Sequence, residues 1–434
     1  MAVLAAALLL ISGSPAMAAE KAIWGPLTLP DGRSAFDTYR ALGTDTFQMQ
    51  IRWPRVAPTR PAHPADPADP AYRWPPEVDR ALAEARRTGL SVALLVGRTP
   101  GWANGGRPDI WAPTAPADFA RFVEAAARRY PAVRRWMIWG EPNRNDRFQP
   151  GAPGGSSAGR AYAPILDAAY GALKRVSPRN LVIGGMTWTG GDIKPKPFLD
   201  SMRMPGGRRP RLDWFGHNPF PFRFPDLREL ALASGFRDIS DLDLFTRELR
   251  RAYGRRVRLW LSEFTVLSGK RSEVFELFVS RRDQARWLAA GFRIADSLPS
   301  VAGLGWLDLL DQSEARLSSN WGLLTASGAP KPALRAYARA PSARFRARVR
   351  ARRRIGGFAL AGRGLAVRVR PPLGGRVAVE LSRRGRRAAR VVRRMRGGSS
   401  RLVRLRVRRP RRGVYMLAVR APRGSTVRRT VVAR

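Results

Sequence analysis

A chain of 434 residues with no cysteine, 2 histidines, 13 tryptophans and 44% apolar residues has a core-forming composition, with length for one large domain plus a smaller one. A disulfide framework, a thiolate metal site and a cysteine nucleophile are excluded, two histidines leave little for a histidine-built metal site, and no cofactor is expected. The net charge of +46 is uneven: residues 341–434 carry 31 arginines, no lysine and one acid, Glu380, whereas residues 1–340 hold 48 basic and 32 acidic side chains. Arginine outnumbers lysine 73 to 6, which GC-rich codon usage explains more economically than phosphate recognition.

In chain order, Met1 to Ile11 is an unbroken apolar run followed by Ser12-Gly13-Ser14-Pro15 and the small-residue pattern Ala16-Met17-Ala18, so residues 1–19 read as a signal peptide and export is expected. The run is shorter than the roughly 20 residues that span a bilayer, and no transmembrane segment is expected in the mature chain. A buried N-terminal helix is the alternative.

Eight apolar, β-compatible stretches follow: Ala22–Leu27, Thr46–Trp53, Leu90–Gly97, Arg134–Glu141, Asn180–Met186, Leu212–Asn218, Arg258–Phe264 and Val301–Asp308. Between them lie segments with apolar residues three or four apart, such as Val78, Leu82 and Ala85, or Phe119, Phe122, Val123 and Ala126, or Ala285, Leu288 and Phe292. Such alternation predicts a parallel sheet faced by helices, and the count of eight favours a (β/α)8 TIM barrel over residues 20–340 rather than a doubly wound sheet. Long connections follow the second, third, fourth and sixth strands, all on the face where such barrels build sites.

After Ala340 the period changes to two, as in Val367-Arg368-Val369-Arg370 and Leu405-Arg406-Val407-Arg408. Residues 341–434 therefore read as a small all-β, sandwich-like domain with arginine outside, a disordered basic tail being the alternative. With only Phe345, Phe358 and Tyr415 available for stacking, nucleic acid is not the expected partner of this region; acidic cell-wall polymers are.

Two acids stand at the ends of predicted barrel strands: Glu141 in Trp136-Met137-Ile138-Trp139-Gly140-Glu141-Pro142-Asn143, and Glu263 in Leu259-Trp260-Leu261-Ser262-Glu263-Phe264. Either alone reads best as a structural ion pair with one of the many arginines, since burying a charge costs several kcal/mol in order of magnitude unless it is compensated. Two at one barrel mouth point to chemistry. Cleavage of a glycosidic bond with retention needs such a pair, about 5 to 5.5 Å apart, one carboxyl as nucleophile and the other as acid then base.

On these motifs the chain resembles the retaining glycoside hydrolases of the (β/α)8 clan A, especially the cellulase-like and β-xylosidase-like members, over about residues 22 to 340. The resemblance implies Glu141 as acid/base and Glu263 as nucleophile, Glu141 with a raised pKa and Glu263 ionised. It extends to Ile51-Arg52-Trp53-Pro54 after strand two, Thr99-Pro100-Gly101-Trp102-Ala103 after strand three, and Gly216-His217-Asn218-Pro219-Phe220 after strand six. The clan usually has Asn before the acid/base, where this chain has Gly140, and a tyrosine where it has Phe220. Arg52 would favour an ionised Glu263 if close, or be a structural arginine. Trp53, Trp102, Trp111, Trp188, Trp306 and Trp321 fall at or beyond strand ends, as sugar platforms or as core, with Trp306 the best single platform. Asn143 and His217 complete the substrate-binding candidates.

The expected function is that of a secreted or cell-wall-associated retaining glycoside hydrolase acting on the β-glycosidic bonds of a cell-wall-type polysaccharide or oligosaccharide. The alternative is a catalytically weakened carbohydrate-binding or cell-surface protein on the same barrel, motivated by Gly140 and Phe220.

Overall fold

The computed structural model describes residues 19–231, 235–269, 277–312 and 319–342, and, further on, 346–350, 365–371, 374–383, 386–397, 399–407, 413–421 and 426–433. Of the segment read as a signal peptide, only Ala19 is among them, and the runs Met1 to Ile11 and Arg352-Arg353-Arg354 lie outside the described residues.

Eight parallel strands close a barrel in sequence order: β1 (Glu20–Trp24), β2 (Thr46–Arg52), β3 (Ser91–Gly97), β4 (Arg135–Ile138), β5 (Leu181–Trp188), β6 (Trp214–Asn218), β7 (Arg258–Phe264) and β8 (Val301–Trp306). Closure is made by β1, where Ile23 is in register with Phe47 of β2 on one side and Trp306 of β8 on the other. The helices alternate with the strands: α1 (Ala35–Ala41), α2 (Pro76–Thr88), α3 (Pro116–Arg129), α4 (Ser157–Val176), α5 (Pro195–Ser201), α6 (Leu242–Tyr253), α7 (Arg281–Ser297) and α8 (Pro332–Arg339). Pro76, Pro116, Pro195 and Pro332 open four of them, a position whose backbone N–H has no intrahelical partner in any case. Gly89 and Gly254 end α2 and α6 in the left-handed conformation, which costs glycine nothing.

Most strands are buried on both faces, which is why a stretch such as Ser91–Gly97 is apolar almost throughout. In β3, Val92, Leu94 and Val96 pack outward into the helix-side core while Ala93 and Leu95 point into the barrel. Met137, Ile183, Met186, Trp260 and Ala302 join them inside, and Trp214 stacks on Trp260 at 5.9 Å. Toward the C-terminal mouth, two strands carry an extra residue: β5 spends Gly184 to Thr187 against Phe215 to His217, and β7 spends Leu261 to Phe264 against Leu304 to Trp306. Such bulges re-aim the side chains that follow.

The C-terminal region forms two antiparallel sheets from β9 (Arg346–Arg350), β10 (Leu365–Arg370), β11 (Gly375–Arg383), β12 (Arg386–Met395), β13 (Arg401–Leu405), β14 (Gly413–Arg420) and β15 (Thr426–Ala433), in the orders β9-β10-β13 and β12-β11-β14-β15. Val367, Val369, Val403 and Leu405 of one sheet and Val377, Val379, Leu417 and Val419 of the other share one core, so the period-two alternation buries valine and leucine and turns arginine outward. No helix among the described residues is long and apolar enough to cross a membrane.

Candidate active site

Beyond Ile138 the chain leaves the regular strand but keeps its ladder: Trp139 N–H donates to Val96 O (2.8 Å) and Glu141 N–H donates to Met186 O (3.0 Å). Trp139 and Glu141 both have positive φ, 64° and 52°, a conformation non-glycine residues rarely adopt. Two hydrogen bonds to flanking strands and the burial of the Trp139 indole between Phe119 and Phe148 hold it. The carbonyl that catches Glu141 comes from the β5 bulge, where Met186 itself has φ 43°. Glu141 is thereby fixed at the mouth by its backbone before its side chain makes any contact.

That side chain is gripped at both oxygens. Asn218 Nδ2 donates to Oε1 (2.9 Å), and Arg144 Nη1 donates to Oε2 (3.0 Å). Asn218 is itself oriented, because Ser262 Oγ donates to its Oδ1 at 2.7 Å. The backbone of Ser262 is anchored in turn, its carbonyl accepting from Trp24 Nε1 (2.9 Å) and Gln48 Nε2 (2.8 Å).

Glu263 follows Ser262 in the β7 bulge. The extra residue lets Ser262 reach Asn218 while Glu263 comes within range of Glu141 and Phe264 returns to the outer core against Trp306. Among the described residues, the Glu263 carboxylate takes no hydrogen bond or ion pair. Burial and then the Glu141 charge push its carboxyl up to about 8, Asp308 acting in the same direction and Arg147 and Arg144 opposing it. Asp308, at the end of β8, is pushed up to about 6 by burial. The mouth thus holds three carboxyls. The sequence implies an ionised Glu263, whereas burial and the Glu141 charge favour its protonated form.

Other expected site residues are placed elsewhere. Arg52 is spent on Asp109 (2.6 Å), which Arg98 shares at 3.3 Å, and the cations acting on Glu263 are instead Arg147 and Arg144. Trp53 is fully buried, stacked on Phe122 at 5.4 Å, and belongs to the core. Trp102 packs edge-on against Trp53 and donates to Ala57 O (2.9 Å), and the Arg60 guanidinium covers its ring at 4.6 Å. Trp306 is fully buried and donates to Trp321 O (3.1 Å), a core role where a platform was expected.

Asn143 is 1% exposed and uses its whole amide to lock two loops together: Nδ2 donates to Trp188 O and Ile193 O, both at 2.9 Å, and Oδ1 accepts from Trp188 N. It has nothing left for a substrate. His217 is likewise core, against Phe245, with Nε2 2.7 Å from Arg237 O and Nδ1 2.9 Å from Thr187 Oγ1. Burial lowers its pKa to about 4, so the imidazole is neutral at ordinary pH. Trp188 does stand at the mouth, with the Arg144 guanidinium 4.9 Å from its ring centre. It lines a cavity of about 620 Å³ together with Arg144, Asp146, Asp192 and Phe236, which adjoins Glu141 through Arg144.

Sequence reasoning passed over Asn218, Ser262, Arg144, Arg147 and Asp308. For Asn218 a signal existed: along Trp214–Asn218, Phe215 and His217 share the face toward Phe245, which leaves Trp214 and Asn218 for the barrel interior. Strand alternation selects Asn218 over His217 without any structure.

The architecture is shared with solved structures. A family 39 glycoside hydrolase from Bacteroides cellulosilyticus WH2 matches with a TM-score of 0.57 and 16% identity over 90% of this chain and 81% of its own. A glucosidase from Croceicoccus marinus gives 0.55 and 14%, and a monomeric β-xylosidase from Caulobacter crescentus CB15 gives 0.53 and 14%, each over 90% of this chain and 94% of the other. At these identities the likeness is one of fold. No protein-family model matches the chain and no curated protein is similar to it in sequence.

Proposed function

We propose that this protein is an exported glycoside hydrolase that cleaves β-glycosidic bonds with retention of configuration, with Glu263 as nucleophile and Glu141 as acid and then base. The observation that carries the reading is the pairing of Glu141 and Glu263 at the mouth of a closed barrel, near enough for one charge to raise the other's pKa. A retaining mechanism needs one proton on such a pair, and two neighbouring carboxyls that cannot both ionise readily hold one. Once a sugar fills the mouth, the proton resides on Glu141 toward the leaving oxygen, and Glu263 attacks the anomeric carbon. The glycosyl-enzyme ester is then hydrolysed by water that Glu141 deprotonates. Asn218 and Arg144 keep the Glu141 carboxyl in place through both steps.

A cell-wall polysaccharide or an oligosaccharide from it is the substrate class that fits an apolar signal-like start and a cavity beside Glu141 carrying Trp188 and Phe236. The weakened-barrel reading keeps both of its supporting observations, Gly140 where the resembled clan carries Asn and Phe220 where it carries a tyrosine. Turnover of a panel of aryl β-glycosides by the full chain separates the two readings. Glu263→Ala is expected to abolish turnover, and proton NMR of the first product to show the starting anomeric configuration. Early release of the opposite anomer, or no turnover of any glycoside, overturns the proposal.

A further inference from the structure

Codon usage accounts for arginine in place of lysine throughout the chain, but it does not remove acids. Residues 1–340 balance 48 basic side chains with 32 acidic ones, whereas residues 341–434 set 31 arginines against Glu380 alone. Glu380 is taken by Arg390 at 3.9 Å. A small sandwich with that imbalance repels itself, and register makes this local: exposed Arg376 of β11 lies directly opposite exposed Arg394 of β12.

One place in this domain has a shape as well as a charge. β12 and β13 are edge strands of the two different sheets, and between them runs a groove of about 450 Å³ lined by Val391, Met395, Leu402 and Val403 with Arg393, Arg401 and Arg404. The register puts Arg393 and Arg401 on the sides of their strands shared by buried Val377 and Val369, and both side chains stay exposed at the rim of the groove. A charge on an edge strand blocks pairing with another chain. Here two of them face one groove with an aliphatic floor, and their own domain offers no second acid to neutralise them.

We infer that this groove binds a strand of carboxylate-bearing polysaccharide, the guanidinium forks of Arg393, Arg401 and Arg404 taking its carboxylates and the aliphatic floor taking the C–H faces of its sugars. Planar guanidinium forks match carboxylates bidentately. Among the described residues no aromatic ring lines the groove to stack a nucleobase, which sets this site apart from a single-strand nucleic-acid channel. The site goes beyond the barrel's chemistry and does not depend on it.

The test is binding of a labelled oligogalacturonate to the full chain by fluorescence anisotropy, which needs no turnover. The triple variant Arg393→Gln, Arg401→Gln, Arg404→Gln should raise the dissociation constant at least about tenfold, three charge-assisted contacts being lost. A control triple of exposed arginines on the outer face of the four-stranded sheet, away from the groove, Arg376→Gln, Arg394→Gln, Arg420→Gln, should change it less than about threefold, the effect of screened surface charge. The lysine triple at positions 393, 401 and 404 keeps the charge and removes the forks, and should also lose affinity. Equal losses in both glutamine triples, wild-type affinity in the lysine triple, or tighter binding of single-stranded DNA of the same charge would each overturn the inference.

Discussion

Asn218 holds Glu141: its amide nitrogen donates a 2.9 Å hydrogen bond to Oε1 from the end of β6, while Ser262 Oγ fixes the other end of the amide at 2.7 Å. Three strands meet in this chain of contacts, with β7 carrying both Ser262 and Glu263, so the separation of the two carboxyls is set by one amide. Asn218→Ala is expected to lower kcat/KM about 10- to 100-fold, the scale of a lost buried hydrogen bond to a reacting group. Because Asn218 is a positioning residue, the pH profile of kcat/KM should shift as well. A drop in activity that follows only a loss of folded protein, with an unchanged profile, would leave Asn218 a structural residue.

The carboxyl pair fixes the pH dependence. The working state is the pair with one proton, and that state is lost when the second proton leaves, which for Glu263 in this setting is about 8. kcat/KM should therefore fall on the alkaline side with an apparent pKa near 8. In Glu141→Gln, assayed on a dinitrophenyl glycoside that needs no acid, turnover requires only an ionised Glu263. Activity should then rise with pH, with a midpoint below 8, because the negative neighbour is gone. An unmoved midpoint would mean that Glu141 does not act on Glu263.

Stability follows the same shift with a definite sign. The folded-state pKa of Glu263 lies above its ordinary value of 4.5, so the folded chain binds this proton more tightly than the unfolded one; stability falls as pH rises from about 4.5 to about 8 and is level beyond. Glu263→Gln removes the penalty. It should raise Tm clearly at about pH 9, by free energy on the order of a few kcal/mol, and little at about pH 4.5. Equal Tm changes at both pH values would contradict the burial of this charge.

Gly140 has a steric setting that the sequence did not reveal. A Cβ there would stand 3.2 Å from Leu95 Cδ2, the end of a flexible side chain at the top of the barrel interior. Gly140→Asn should therefore cost no more than about 1 kcal/mol by thermal melts. Preference for 2-hydroxy over 2-deoxy aryl glycosides should grow, since Asn143 and His217 are both spent on the scaffold. If wild type already discriminates strongly and the variant does not improve, a side chain other than these three contacts the 2-hydroxyl.

The sequence by itself determined the barrel, because the code for it is local. A strand buried on both faces must be apolar nearly throughout, and a helix lying on it must repeat every three or four residues; Arg258–Phe264 and Ser91–Gly97 were legible on that ground to within a residue. The same logic separated the period-two arginine-valine strands and placed Glu141 and Glu263 at strand ends. Which side chains reach the mouth was decided only in three dimensions. One extra residue in β7 aims Ser262 and Glu263 together, one in β5 offers the Met186 carbonyl to Glu141, and neither bulge has a signature in composition. The tryptophans Trp53 and Trp306 satisfied every local criterion for a platform, yet Phe122 and Phe264 were waiting to bury them. Burial is a property of what arrives from elsewhere in the chain, and so is the charge that Glu263 feels.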